Sequence, residues 1–191
     1  VWAKTLRLTA STLMRTVTST VCFNAVFREV SEGGDLPAFW LPPGWEERKS
    51  MKNYISHSPE QTEQIAAEFA STLKSGDVIA YKGPMGAGKT AFTRGLCRGL
   101  GLDDPVSSPT FALVHQYGNG EHALYHFDMY RVESYEDLYS TGFFDYLGYG
   151  GILAIEWSEN IEAVLPPNTI TVTIQKDEND PDLRRIQIDR P

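Results

Sequence analysis

An eight-residue string constrains this chain more than any other feature of its sequence. Residues 83–90 read Gly-Pro-Met-Gly-Ala-Gly-Lys-Thr and match the pattern GxxxxGK[ST]. Glycines let backbone amides turn toward an anion, and a helix that begins at the end of such a loop points its positive dipole at the same anion. The pattern therefore predicts a loop that binds nucleotide phosphates, with the lysine on the β- and γ-phosphates and the final hydroxyl on Mg²⁺. The residues concerned are Gly83, Met85, Gly86, Ala87, Gly88, Lys89 and Thr90.

The segments around this string provide the context that a phosphate loop requires. Residues 78–81 favour a strand, and residues 89–100 favour a helix that Gly101 ends. Strands and helices alternate along the chain, which predicts an α/β fold, a three-layer P-loop NTPase domain with a mixed, mostly parallel sheet and added antiparallel strands. The other predicted elements are a helix capped by Ser58 and ended by Ser75-Gly76, a hairpin of residues 111–117 and 122–128, short helices at 134–139 and 142–146, and strands at 151–157, 169–175 and 183–189.

A phosphate-bound Mg²⁺ usually needs a second, acidic ligand at the end of a strand. Glu156 ends a strongly apolar run, and Asp128 ends another run of strand-forming residues. We predict that Glu156 is a metal ligand, directly or through water, and that Asp128 lies close by and orients water or the metal. The alternative for either residue is a solvated carboxylate. His122 and His126 lack a further His or Cys partner, so we expect structural roles for both.

The nucleotide and the reaction are indicated by what accompanies the loop. A GTPase carries an Asn-Lys-x-Asp string that reads the base, and the nearest match, at residues 175–177, lacks the asparagine, so we predict ATP. Small P-loop kinases usually carry an arginine-rich lid, whereas only four arginines follow the loop helix. We therefore favour an ATPase, with a small-molecule P-loop kinase as the alternative.

The first fifty residues differ in composition from the rest of the chain. Residues 1–28 contain no acidic residue, four basic residues and eight serines or threonines, and residues 33–45 are rich in proline, glycine and aromatics. Regular patterning begins at Met51. We therefore expect residues 1–50 to be an irregular extension, translated upstream of a mis-called start, and residues 51–191 to be the P-loop ATPase domain. A mitochondrial transit peptide and a genuine extra module are the alternatives.

Charge and cysteine content argue against several classes of protein. The chain has 17 basic and 25 acidic residues, and its net charge of −8 disfavours a protein whose main role is to bind nucleic-acid phosphates. The two cysteines form no CxxC pair, which indicates a reducing, cytoplasmic compartment. No stretch approaches the roughly 20 apolar residues of a membrane span, so we expect no membrane partner.

Four strings occur along the chain in a fixed order: residues 83–90, residues 106–114 (Val-Ser-Ser-Pro-Thr-Phe-Ala-Leu-Val), residues 126–131 (His-Phe-Asp-Met-Tyr-Arg) and residues 155–157 (Ile-Glu-Trp). Together they resemble the TsaE family of tRNA threonylcarbamoyladenosine biosynthesis ATPases. The likeness covers residues 51 to about 165 and nothing in residues 1–50. Where the family loop often has Asp-Leu, this chain has Pro84-Met85, and Pro84 removes one backbone donor early in the loop.

The resemblance implies a function as well as site residues. Members of the family bind ATP and Mg²⁺, hydrolyse ATP slowly alone, and drive or reset the TsaB–TsaD machinery that makes N6-threonylcarbamoyladenosine at position 37 of tRNA. Contact with tRNA would be indirect, through that complex. A nucleotide-binding scaffold that needs no turnover is the rival from another class. The implied catalytic residues are Lys89, Asp128, Glu156 and a switch-like Thr110; the implied metal ligands are Thr90 and Glu156; and Trp157 and Thr62 would lie near the nucleotide.

Overall fold

The computed structural model describes residues 50–109 and 112–191 of the chain. Its strands are β1 (Ser50–Ser56), β2 (Val78–Lys82), β3 (Val114–Tyr117), β4 (Leu124–Asp128), β5 (Ile152–Glu156), β6 (Ile170–Lys176) and β7 (Arg184–Arg190). They form a seven-stranded sheet in the order β1-β7-β6-β2-β5-β4-β3. The three central pairings, β6–β2, β2–β5 and β5–β4, are parallel, and the outer pairings are antiparallel. The predicted mixed sheet with added antiparallel strands is confirmed.

The helices of the described residues are α1 (Pro59–Ala70), α2 (Lys89–Gly99), α3 (Tyr135–Ser140) and α4 (Phe143–Tyr146), with 3₁₀ helices at Gly120–His122 and Ser158–Val164. In the described part of the chain, no helix is both long enough and apolar enough to cross a membrane. Most of the predicted extension, residues 1–49, lies outside the described residues, and so does Thr110. The division of the chain at residue 50 therefore stays a prediction.

Helix α1 begins as predicted and ends earlier than predicted. The Gln61 amide donates to the Ser58 hydroxyl at 3.1 Å, so Ser58 caps the helix. The return bond of the expected capping box comes from the His57 amide, at 2.8 Å from Gln61 Oε1, one residue before the cap. The helix ends at Ala70 and not at Ser75-Gly76, because the amides after it bond three residues back and tighten the chain into turns.

Two apolar layers cover the two faces of the sheet, since the central strands are apolar on both sides. On one face, Phe69 of α1 and Phe92 of α2 pack in a cluster with Ile79 and Tyr81 of β2. On the other face, the next residues along the strands, such as Leu153 and Ile155 of β5, pack with Leu138 of α3 and Phe143 of α4. This alternation confirms the predicted three-layer arrangement.

Two glycines bring α2 unusually close to α1. A Cβ atom at Gly95 would lie 2.6 Å from the Ala66 Cβ and 2.7 Å from the Glu63 Cα, and one at Gly99 would lie 2.7 Å from the Ala70 Cβ. Only glycine fits such a crossing, because the atoms it approaches belong to the partner helix's backbone and its shortest side chains. Glu63 also pairs with Arg94 at 2.6 Å across this contact. The helix that follows the phosphate loop is therefore seated against α1 by backbone contact.

The parallel strands place their carboxyl ends at one edge of the sheet. β4 and β5 are in register with Asp128 opposite Glu156, and the phosphate loop leaves the end of β2 at the same edge. Ligands in open α/β sheets bind outside the carboxyl ends of the strands. The fold therefore brings together three parts of the chain that the sequence analysis selected separately.

Candidate nucleotide site

The phosphate loop joins β2 to α2, as predicted. Gly83, Gly86 and Gly88 all have positive φ, of 140°, 69° and 112°, in the range that favours glycine. A Cβ at Gly83 would lie 3.2 Å from the carbonyl carbon of Ile174, so the first glycine is also required by the closeness of β6. Gly88 is the residue before the first turn of α2. The loop thus has the strand–glycine loop–helix context in which backbone amides surround an anion.

Lys89 is buried within the loop that it follows. Its side chain donates to the Gly83 carbonyl at 2.9 Å and to the Pro84 carbonyl at 3.1 Å, and the residue is only 5% exposed. The ammonium also lies 4.8 Å from the centre of the Trp157 ring, within cation–π range. A buried ammonium with these partners is ready to exchange loop carbonyls for phosphate oxygens.

Glu156 accepts two hydrogen bonds on one carboxylate oxygen. The Thr90 hydroxyl donates to Glu156 Oε1 at 2.9 Å, and His126 Nε2 lies 3.0 Å from the same oxygen. Burial alone would raise the pKa of the Glu156 carboxyl, but the bonds from His126 and Thr90 and the charge of Lys89 together hold that pKa below its ordinary value. Glu156 is therefore an ionised, oriented carboxylate next to the loop.

Asp128 lies opposite Glu156 at the end of β4 and is 5% exposed. One of its carboxylate oxygens, Oδ1, accepts from the Tyr130 amide at 3.0 Å, which fixes the orientation of the side chain. Two carboxylates at neighbouring strand ends form an acidic edge facing the loop lysine. Such a pair is suited to hold a cation or to orient water.

Trp157 has an unusual backbone conformation. Its φ of 57° places a bulky residue in the left-handed region, directly after the strand that carries Glu156. The centre of its ring lies 4.9 Å from that of Tyr130 and 4.8 Å from the ammonium nitrogen of Lys89. Strained residues of this kind cluster at functional sites. In this conformation the indole lies against the ammonium of Lys89.

These groups line one cavity of about 460 Å³, which is within the usual range for small-molecule sites. Among the predicted residues, the cavity brings together Met85, Gly86, Ala87, Gly88, Lys89, Thr90, Asp128, Glu156 and Trp157. Gly83 is not among the lining residues, and its carbonyl accepts from Lys89. Thr62 is not among the lining residues: it is buried on α1, and its hydroxyl pairs with that of Ser56 at 2.8 Å. Its role near the nucleotide stays a prediction.

Several residues around the cavity were missed by the sequence analysis. Ser108 and Tyr130 line it, and Arg184 of β7 donates to the Ala87 carbonyl at 3.0 Å from the far end of the chain. His126, for which we expected a structural role, contacts Glu156 directly. Of these residues, only His126 could have been selected from the sequence, because it lies two residues before Asp128 and therefore on the same side of β4.

Comparison with known proteins identifies the family of the chain. The sequence model described as "Threonylcarbamoyl adenosine biosynthesis protein TsaE" matches residues 56–186, which is well over half of the chain. The chain belongs to the TsaE family. The matched range includes every residue that lines the cavity.

Individual TsaE relatives agree with this assignment. The chain is 41% identical over 120 residues to the Bacillus subtilis protein, covering 62% of this chain and 74% of that protein. It is 36% identical over 121 residues to the Treponema pallidum protein, covering 63% and 89%. Both relatives are named "tRNA threonylcarbamoyladenosine biosynthesis protein TsaE". The crystal structure of Bacillus subtilis YdiB is similar, with a TM-score of 0.63, 31% identity, and 76% and 88% of the two chains covered.

Proposed function

We propose that this chain is an ATPase that binds Mg-ATP and serves the biosynthesis of N6-threonylcarbamoyladenosine in tRNA. The observation that carries the proposal is the convergence of a complete phosphate loop with Glu156 and Asp128 in one cavity. Membership in the TsaE family supports the pathway, since the relatives described above carry that pathway in their names. We also propose a cytoplasmic location for the protein.

The loop would hold the triphosphate. Lys89 would exchange its bonds to the Gly83 and Pro84 carbonyls for bonds to the β- and γ-phosphates, a short movement for a flexible side chain. The amides of residues 85–90 and the amino terminus of α2 would supply the remaining donors. Because Pro84 has no amide hydrogen, the donors begin after it.

The residues beside the loop fit Mg²⁺. Thr90 and Glu156 offer a hydroxyl and a carboxylate oxygen 2.9 Å apart, and oxygen ligands of this kind are those that Mg²⁺ prefers. In the described ranges no group of three or more His, Cys, Asp or Glu side chains could hold a metal. The ion would therefore be held by these two protein oxygens together with oxygens of the phosphates and of water. When bound, Mg²⁺ would neutralise charge on the phosphate oxygens.

Hydrolysis would depend on charge stabilisation and on an oriented water. Lys89 and the loop amides would stabilise the charge of the transferring phosphoryl group, and Asp128 would orient the attacking water. The predicted switch residue, Thr110, would respond to the γ-phosphate. We propose that turnover by the chain alone is slow, and that TsaB and TsaD complete or use the cycle.

The charge of the chain favours indirect contact with tRNA. Residues 51–191 hold 11 basic and 20 acidic residues, an excess that repels a phosphate backbone. We therefore propose that TsaB and TsaD make the main tRNA contacts. The positive charge and the hydrogen-bond donors that would bind the nucleotide phosphates are concentrated at Lys89 and the loop amides.

Two measurements test the proposal together. ATP affinity, measured by calorimetry, should fall about 10- to 100-fold in Lys89→Ala, because a charge-assisted bond to phosphate is lost. Lys82→Ala is the matched control, since Lys82 lies before the loop and pairs with exposed Glu162 at 2.9 Å. Expressed in a strain depleted of its own TsaE, wild-type chain should restore threonylcarbamoyladenosine in bulk tRNA, and Lys89→Ala should not.

The outcomes separate the proposed function from its rivals. Unchanged ATP affinity and tRNA modification in Lys89→Ala would refute the phosphate site. Full modification by a Glu156→Ala variant that binds ATP but does not hydrolyse it would favour a scaffold that needs no turnover. Transfer of phosphate to a metabolite would favour the kinase.

A further inference from the structure

His126 is the buried, chemistry-bearing residue that the proposed function leaves without a role. It lies within β4, opposite Ala154 of β5 and His115 of β3, and its side chain is fully buried. It does not line the cavity. Its contact with the site is the 3.0 Å approach of Nε2 to Glu156 Oε1. A role for His126 in the site must therefore act through Glu156.

The unpartnered nitrogen of the ring indicates which atom carries the proton. His126 Nδ1 is buried and has no hydrogen-bond partner in the structure. An ionised carboxylate only accepts hydrogen bonds, so Nε2, which lies 3.0 Å from Glu156 Oε1, must be the donor, and the unpartnered Nδ1 agrees with a ring that uses its proton there. The proton therefore belongs on Nε2, and His126 donates it to the Glu156 carboxylate.

The two donors to Glu156 have different positions relative to the cavity. Thr90 lines the cavity and is itself a proposed metal ligand, whereas His126 lies behind the carboxylate. Both donate to Oε1, which leaves Oε2 to face other partners. Partners that bond to a metal ligand from behind orient it and raise its affinity for the metal. His126 has the position and the proton for such a role.

We infer that His126 is a positioning residue that donates to Glu156 Oε1 and thereby holds this carboxylate in place for the divalent cation. The inference depends on the proposed function, because it assumes a cation at Glu156. It gives the pairing of the two strands a specific role, in which β4 orients the ligand that β5 supplies.

A matched pair of substitutions tests the donated bond. His126→Gln places an amide N–H at about the depth of Nε2, and His126→Met has nearly the same length but no donor. The measurement is the Mg²⁺ concentration that half-saturates binding of a non-hydrolysable ATP analogue. It is accompanied by the affinity for the analogue in EDTA and by a thermal melt of each protein.

We expect His126→Met to raise the half-saturating Mg²⁺ concentration about 10- to 100-fold, and His126→Gln to stay within about threefold of wild type. The affinity in EDTA should be unchanged in both. Equal shifts in the two variants, or a matching loss of affinity in EDTA, would overturn the inference, because the residue would then act only through packing. Should the methionine variant not fold, His126→Asn replaces it, since its shorter amide cannot reach Glu156. A wild-type chain without Mg²⁺-dependent binding would instead refute the proposed function, and this inference with it.

Discussion

The close crossing of α1 and α2 makes Gly95→Ala a sharp test of the fold beneath the site. At an exposed helical position, this change would stabilise the protein by about 1 kcal/mol, because alanine favours helix more than glycine does. Here the new Cβ would lie 2.6 Å from the Ala66 Cβ and 2.7 Å from the Glu63 Cα. Carbon atoms prefer separations of about 3.5–4.0 Å, so the helices would have to move apart by roughly 1 Å.

The magnitude follows from these two opposing effects. Overpacking a buried contact costs about 1–3 kcal/mol, and the upper end applies here because Glu63 Cα is a backbone atom that cannot rotate away. After the gain in helix propensity, we expect a net destabilisation of about 2 kcal/mol. For a chain of this size, that lowers the melting temperature by about 4–8 °C.

Thermal denaturation followed by circular dichroism measures the effect directly. The control is Gly148→Ala, where φ is not positive and the new Cβ would lie 3.3 Å from the Asp145 carbonyl oxygen, a contact that a shift of a few tenths of an ångström relieves, so we expect a clearly smaller effect than at Gly95. A melting temperature for Gly95→Ala that equals or exceeds that of wild type would refute the close crossing of the helices.

Three further predictions concern the site and the core. Arg184→Ala should weaken ATP binding about fivefold, because the Ala87 carbonyl in the phosphate loop loses its hydrogen-bond donor. Arg185→Ala is the control, since the Arg185 side chain is exposed and pairs with Asp177, and it should leave the affinity unchanged; calorimetry measures both affinities. Because the pKa of Glu156 is lowered in the folded protein, its ionised form stabilises the fold at pH values above its ordinary pKa of 4.5, and this stabilisation is lost as the pH falls. The free energy of unfolding, measured as a function of pH, should therefore fall less steeply below about pH 5 in Glu156→Gln than in wild type. Burial raises the pKa of Cys97 to about 12, so native protein should resist alkylation there at pH 8, and rapid labelling, mapped by mass spectrometry, would contradict it.

The sequence was sufficient to predict the parts of the fold that depend on local chemistry. The phosphate loop, the strand before it and the helix after it are fixed by glycines, an apolar run and a helical pattern within a few residues of one another. The strand that ends in Glu156 was equally clear, because a central parallel strand is apolar on both faces. The two acids were found from the expectation that a phosphate-bound Mg²⁺ takes an acidic ligand at the end of a strand.

The parts that were missed depend on contacts between distant residues. β1 is an edge strand that is mostly exposed, so it shows no apolar alternation and was not predicted. The hairpin strands begin later than predicted: β4 begins at Leu124 because a 3₁₀ helix occupies Gly120–His122, and β3 begins at Val114, directly after Leu113, whose φ of 65° does not fit a strand. The contact of Arg184 with the loop has no local pattern at all, since the two residues meet only when the sheet is complete.

The position of β7 between β1 and β6 also determines when the loop can reach its folded form. Arg184 follows Ala87 by 97 residues, and β1, the first strand described, pairs with β7, the last. Contacts of such long range form late in folding. On the ribosome, residues 50–56 would wait without a sheet partner while nearly all of the remaining chain is made. The phosphate loop would gain this support only after synthesis reaches β7, so nucleotide would stabilise the finished protein more than the nascent chain.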